Sequence, residues 1–262
     1  MTAIPDKPDT LDKPVIALFV TCLVDAFRPS VGFASLRLLE RCGARVRVPA
    51  GQTCCGQPAF NNGDTDGARR VARQVIEAFR AYDRIVVPSG SCGGMLKVHY
   101  PALFDGDPVW AARARSFAAR VVELGDYLLE QGIEIDAEYA GVAAYHDSCS
   151  SLREMQVREQ PRQLLAQVRG LEVRDLAEPE VCCGFGGTFC VKYGDISTRL
   201  VSDKADDVAA TGADTLVAGD LGCLLNIAGR LQRQGREVRV FHYAELLAGV
   251  TPGARAIGEP GE

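Results

Sequence analysis

The sequence predicts an α/β fold of two tandem units, each an alternation of strands and helices around a mainly parallel sheet. Short apolar runs alternate with longer stretches of helical periodicity. The series recurs in the second half of the chain, and eight of the ten cysteines recur with it. At 262 residues the chain is long enough for one large domain or two of about 100–150 residues each. Hydrophobic residues make up 47% and charged residues 24%, a globular balance that excludes wholesale disorder. A formal charge of −5 leaves no basic excess to neutralise phosphates, which argues against nucleic acid as a partner.

The elements follow in order. Residues 1–13, with Pro5 and Pro8, read as a flexible tail, and 251–262 as another. Val15–Val20 is a continuous apolar run, the pattern of a strand buried on both faces. It is strand-sized, far short of the roughly 20 residues that cross a bilayer. Val31–Arg41 carries apolar residues at helical spacing and stops before Gly43. Arg45–Val48 is a short strand ending at Pro49, Asp64–Tyr82 an amphipathic helix with an acid at its start, and Arg84–Val87 a third strand. Helices over Asp107–Leu124 and Asp126–Gln131 complete a first unit, 14–136. The second unit, 137–250, repeats the series. Its strands fall at Val142–Tyr145, within Leu171–Leu176, at Thr215–Ala218 and at Val238–Phe241. Its helices fall at Pro161–Val168, Ile196–Ala210, Leu224–Gln234 and near Tyr243–Ala248.

The cysteines mark the duplication. Cys22 is followed by Cys54-Cys55-Gly56 and then Cys92; Cys149 is followed by Cys182-Cys183-Gly184 and then Cys223. The spacings are 32 and 37 residues in the first set, 33 and 40 in the second. Each cysteine lies just beyond a strand, so all of them open onto the carboxyl edge of a parallel sheet, where open α/β folds bind ligands. No secretory signal is visible at the start, which points to a reducing cytosol. Clustered thiols there serve metals or redox chemistry more often than disulfides.

Three occupations of a four-thiol site differ in their demands. Buried inert cysteines would need no such register. Structural zinc accepts four thiolates but usually takes paired ligands about two to four residues apart. Adjacent α-carbons are only about 3.8 Å apart with diverging side chains, so neighbouring thiolates strain to share one tetrahedral ion. They reach two irons of one cluster more easily, which favours an iron–sulfur cluster held by four cysteines. Glycines at 56, 90, 93, 94, 184, 186, 187 and 222 would let backbone N–H groups turn toward sulfur.

The remaining candidates are single residues. Cys42, at a helix end, reads as a small core residue. Cys190 follows Gly184-Phe185-Gly186-Gly187 and reads as packing, with an extra ligand or reactive thiol as the sharper alternative. His146 closes a strand beside the second set; it is either a satisfied structural histidine or a proton-handling group. His99 and His242 read as surface or packing residues, and no hydrolytic constellation is visible.

Together these motifs resemble the cysteine-rich CCG domains of the heterodisulfide reductase B subunit and of iron–sulfur subunits of glycolate oxidase. Phe19-Val20-Thr21-Cys22, Cys54-Cys55-Gly56-Gln57-Pro58-Ala59, Pro88-Ser89-Gly90-Ser91-Cys92, Cys182–Phe189 and Leu224-Leu225-Asn226-Ile227 look like the LutA/YkgE family of lactate utilisation proteins. The resemblance implies two tandem Rossmann-like CCG units related by a pseudo-two-fold duplication. Each would hold an iron–sulfur cluster, two [4Fe–4S] in all, on Cys22, Cys54, Cys55 and Cys92 and on Cys149, Cys182, Cys183 and Cys223.

It also implies an electron-transfer subunit of an L-lactate-oxidising complex, forming pyruvate together with other subunits, including a second iron–sulfur protein. Such a chain would be cytoplasmic and would meet the membrane only through partners. A cluster-based thiol or disulfide reductase and a structural zinc module are the alternatives. The fuller CCG pattern ends in Cys-x-x-Cys, and here Ser89 and Asp220 replace the first of that pair. Four thiolates then suit an ordinary cubane, unless Ser89 or Asp220 lends an oxygen and leaves a labile iron. Serine often stands in the family where Cys190 does. Aerobic handling is expected to strip the clusters or let zinc replace them. Partners should dock at the carboxyl edge, near Phe60, Met95 and Phe185.

Overall fold

The computed structural model describes residues 14–259; the expected N-terminal tail lies outside them. Two four-stranded sheets form, and every strand pair in both is parallel. The first contains β1 (Val15–Leu18), β2 (Arg45–Arg47), β3 (Ile85–Val87) and β4 (Val121–Glu123) in the order β2-β1-β3-β4. The second contains β5 (Glu138–His146), β6 (Arg169–Asp175), β7 (Thr215–Ala218) and β8 (Arg239–His242) in the order β6-β5-β7-β8. The topology is duplicated strand for strand, as two tandem Rossmann-like units require.

β4 is the element that sequence periodicity hid. The helix expected over Asp107–Leu124 ends at Ala118, and Val121–Glu123 pairs with Ile85–Val87 instead. Two consecutive β-branched valines prefer that pleated, fully buried setting to a helix end. The second unit contains the same sentence in clearer form, since β8 also runs directly into a short helix, Tyr243–Leu247.

The two units share a core. One buried cluster joins Ile16, Leu18, Val86 and Val122 of the first sheet to Ala143, Tyr145, Val217 and Phe241 of the second. The segment expected to trail after residue 250 also packs: Thr251, Ala256 and Ile257 are buried, and the Ile257 N–H donates to the Val240 carbonyl at 2.8 Å. Its proline and glycine content describes turns held against β8 rather than a loose end.

Glycines at 90 and 94 serve this junction. The helix Gly90–Gly94 lies against the short π-helix Ser151–Met155, and a methyl group at Gly90 or Gly94 would collide with Ser151 or Glu154. These two glycines allow the close approach of the units. Polar contacts cross the junction as well. The Arg28 Nε pairs with Glu245 at 2.8 Å, and the Tyr243 hydroxyl donates to Glu123 at 2.8 Å.

Glu123 is 2% exposed, and burial pushes its carboxyl up to about 7, although Tyr243 and the Gly125 N–H pull the other way. A raised acid favours the folded state fully below its ordinary value of 4.5, and that contribution is lost as pH rises through about 7. Denaturant unfolding across this window should show wild-type stability declining by on the order of 3 kcal/mol more than in Glu123→Gln. Parallel pH profiles for the two proteins would contradict the assignment.

Candidate metal centres

Each cysteine set is assembled by three strand ends. Cys22 opens the helix Cys22–Phe27 after β1, where Thr21 caps the N-terminus by accepting from the Val24 N–H. Cys54-Cys55 lies in the loop after β2, and Cys92 sits in the helix after β3. In the order β2-β1-β3-β4 the connections from β1 and β3 leave in opposite directions, opening a crevice between their carboxyl ends. Cys149, Cys182-Cys183 and Cys223 occupy the corresponding ends of β5, β6 and β7.

The sulfurs converge in both units. Cys22 Sγ lies 3.9 Å from Cys54 Sγ, and Cys54, Cys55 and Cys92 interact in turn. Cys149, Cys182, Cys183 and Cys223 are linked in the same sequence. In each set the first two thiols are reachable from solvent and the last two are buried. Thiols that far apart in the chain meet here as the spacing predicted.

The local frame is duplicated too. Gly56 and Gly184 take φ of +86° and +80°, and each N–H donates back to the first sulfur of its pair, at 3.4 and 3.3 Å. The carbonyl of the second cysteine is held by Tyr100 Oη in the first unit and by Asn226 Nδ2 in the second, both at 2.9 Å. Donation from neighbouring thiols pulls Cys54 and Cys182 down to about 2, while their partners are pushed up. In each site the outer cysteine of the adjacent pair is thus the one whose surroundings favour the thiolate, with three more sulfurs beside it.

Ser89 and Asp220, which stand at the missing cysteine positions, are helix caps. Ser89 Oγ accepts from the Cys92 N–H at 3.3 Å, and Asp220 Oδ1 from the Gly222 N–H at 3.2 Å. Asp220 also joins the units: its Oδ2 accepts from Ser89 Oγ at 3.1 Å and from the Ser91 N–H at 2.9 Å. No sequence pattern announces this contact, because the partners are 131 residues apart. Cys190 stands outside the sets, its thiol donating to the Gly187 carbonyl at 3.1 Å. Cys42 is half-buried against the shared core, as expected of a small packing residue.

Burial and the nearby Lys204 ammonium hold His146 down to about 3, so the ring is neutral at physiological pH. His242 caps the helix Tyr243–Leu247, and His99 lies 3.4 Å from Glu154. Of the apolar residues expected at the docking edge, Met95 is fully buried within the first core and offers no surface. Phe60 is half-buried against the His99 ring. Phe185 faces a cavity of about 220 Å³ between the units, lined also by Cys22, Cys54, Cys55, Cys92 and Asp220.

A doubled fold presenting one thiol quartet per sheet edge defines a tandem cysteine-rich protein. The model of the CCG cysteine-rich domain matches residues 16–97 and again 143–228. Proteins named Lactate utilization protein A, from Bacillus cereus (strain G9842) and Geobacillus kaustophilus (strain HTA426), are each 46% identical over 234 residues, covering 88% of this chain and 98% of theirs. The chain belongs to the lactate utilization protein A family. A solved structure of a hypothetical protein from Helicobacter pylori shares the fold, with a TM-score of 0.62 at 13% identity. The match covers 98% of this chain but only about half (51%) of that one.

The loops depend on their left-handed glycines. A methyl group on Gly184 would stand 2.8 Å from the Ser197 carbonyl oxygen, whereas at Gly253, with φ of +73°, nothing lies within 4 Å. Gly253→Ala should cost only the left-handed penalty of about 1–2 kcal/mol. Gly184→Ala should cost more, read by urea unfolding of the two variants beside the unmodified protein. Equal costs would show that the loop tolerates displacement.

Proposed function

We propose that this chain is the iron–sulfur electron-transfer subunit of a lactate-oxidising complex. The observation that carries the reading is the pair of four-thiol sets assembled at corresponding positions of two sheet edges, in a family whose members are named for lactate utilisation. Cys22, Cys54, Cys55 and Cys92 would hold one cluster, and Cys149, Cys182, Cys183 and Cys223 the other. The donor set fits: thiolate is the ligand iron–sulfur clusters take, and the adjacent cysteines suit a multi-iron centre. When bound, such a cluster supplies one-electron transfer.

The chain's own residues provide the cradle. Gly56 and Gly184 donate to thiolate sulfur, which stabilises charge on the ligand, and the buried inner cysteines exclude water from one side. Lactate oxidation to pyruvate releases two electrons and two protons, and its chemistry belongs to partner subunits, among them a second iron–sulfur protein. The protein would act in the cytoplasm. No helix among the described residues is long and apolar enough to cross a membrane. A second reading, a thiol or disulfide reductase, is favoured by the cavity beside the exposed Cys22.

Oxygen-free protein should contain about eight iron and eight sulfide per chain, the content of two four-iron clusters. Cys55→Ala and Cys183→Ala should each remove about half of both, and reduction by lactate should require the partner subunits. Zinc without sulfide would contradict the proposal, and a spectrum altered by a disulfide alone would favour the second reading.

A further inference from the structure

The two sites are not equivalent, and one of the differences between them is a side chain that can bind metal. His146 is 1% exposed, and neither ring nitrogen has a hydrogen-bond partner among the described residues. An unsatisfied buried polar group costs about 1–3 kcal/mol, so a structure that keeps one normally uses it. His146 stands at the end of β5, three residues before Cys149. Three residues before Cys22 the first unit has Phe19, a fully buried ring with no donor atom. The other buried histidine, His242, is employed through one nitrogen, its Nδ1 accepting from the Ala244 N–H at 3.2 Å, while its Nε2 has no partner among the described residues; only His146 has both nitrogens unpartnered.

The orphaned ring is beside the sulfurs. A nitrogen of His146 and the sulfurs of Cys183 and Cys223 all lie within 4.8 Å of one another. These are the two buried cysteines of the second set, so the imidazole closes the inner, water-free side of that site. We propose that His146 is a nitrogen ligand of the metal centre held by the second cysteine set. The first centre is then ligated by sulfur alone and faces the cavity between the units. The second takes both sulfur and nitrogen. Four cysteines already match the irons of a four-iron cluster one for one, so the imidazole is a fifth donor that takes the place of one thiolate or adds a second ligand to one iron. Five donors also exceed what a single tetrahedral ion accepts. Imidazole is a ligand for iron in clusters as well as for zinc and other borderline metals, and in clusters it raises the reduction potential.

This inference rests on the proposed reading that the cysteine sets hold metal. The test uses the full chain, purified without oxygen, with Cys22→Ala and Cys55→Ala emptying the first site. X-ray absorption at the edge of the metal retained should show imidazole scattering, with a nitrogen at about 2.0–2.1 Å if the metal is zinc. Adding His146→Phe, the first unit's own residue, should abolish that feature and lower retention severalfold. If the substituted chains fail to fold, the unmodified protein gives the same readout, because among the described residues His146 is the one histidine grouped with cysteine sulfurs. An all-sulfur shell overturns the inference, as does loss of all metal once the first set is emptied. Unmodified protein that binds no metal would instead overturn the proposed function, and this inference with it.

Discussion

The convergence of sulfurs from three separate strand ends is the constraint on which the rest of the structure depends. No two thiols of a set other than the adjacent pair are close in sequence, so neither set assembles until a parallel sheet has formed in the right order. Placing β1 and β5 second in their sheets brings the loop with the cysteine pair to one side and the last cysteine's helix to the other. The crevice at the change of direction is where the thiols meet. Any rearrangement of strand order would scatter them.

Duplication explains the sites, and departures from it explain how they differ. Both units cap the last cysteine's helix with the residue standing three positions earlier, Ser89 or Asp220, and both turn through a left-handed glycine after the pair. The symmetry breaks where the units touch. Asp220 accepts from Ser89 and Ser91, so the carboxylate that caps one cysteine helix also anchors the other. A negative charge shared in this way ties the geometry of one site to that of its neighbour. His146 opposite Phe19 is the second break, and it lies on the buried side.

Much of this was legible in the sequence. Continuous apolar runs such as Val15–Leu18 and Thr215–Ala218 identify buried parallel strands, and the recurrent cysteine spacing identifies both quartets. What escaped was of three kinds. β4 is three residues long, and its valines merge with the helix before it, so period alone cannot separate them. Gly90 and Gly94 look like loop glycines beside a ligand, yet they face Ser151 and Glu154 from the other unit. Met95 sits at the sheet edge in sequence but turns into the core, and the C-terminal segment is held by Ile257, whose single apolar side chain gives no periodic signal. Contacts between units are long-range and leave no local pattern.

The central claim is that each quartet encloses an inorganic centre. The direct measurement is a crystal structure of oxygen-free protein with anomalous diffraction recorded at the iron edge. The account predicts two iron peaks per chain, one in contact with Cys22, Cys54, Cys55 and Cys92 and the other with Cys149, Cys182, Cys183 and Cys223. Quartets closed by disulfides, or sulfurs holding no anomalous scatterer in fully reduced and reconstituted protein, would contradict it.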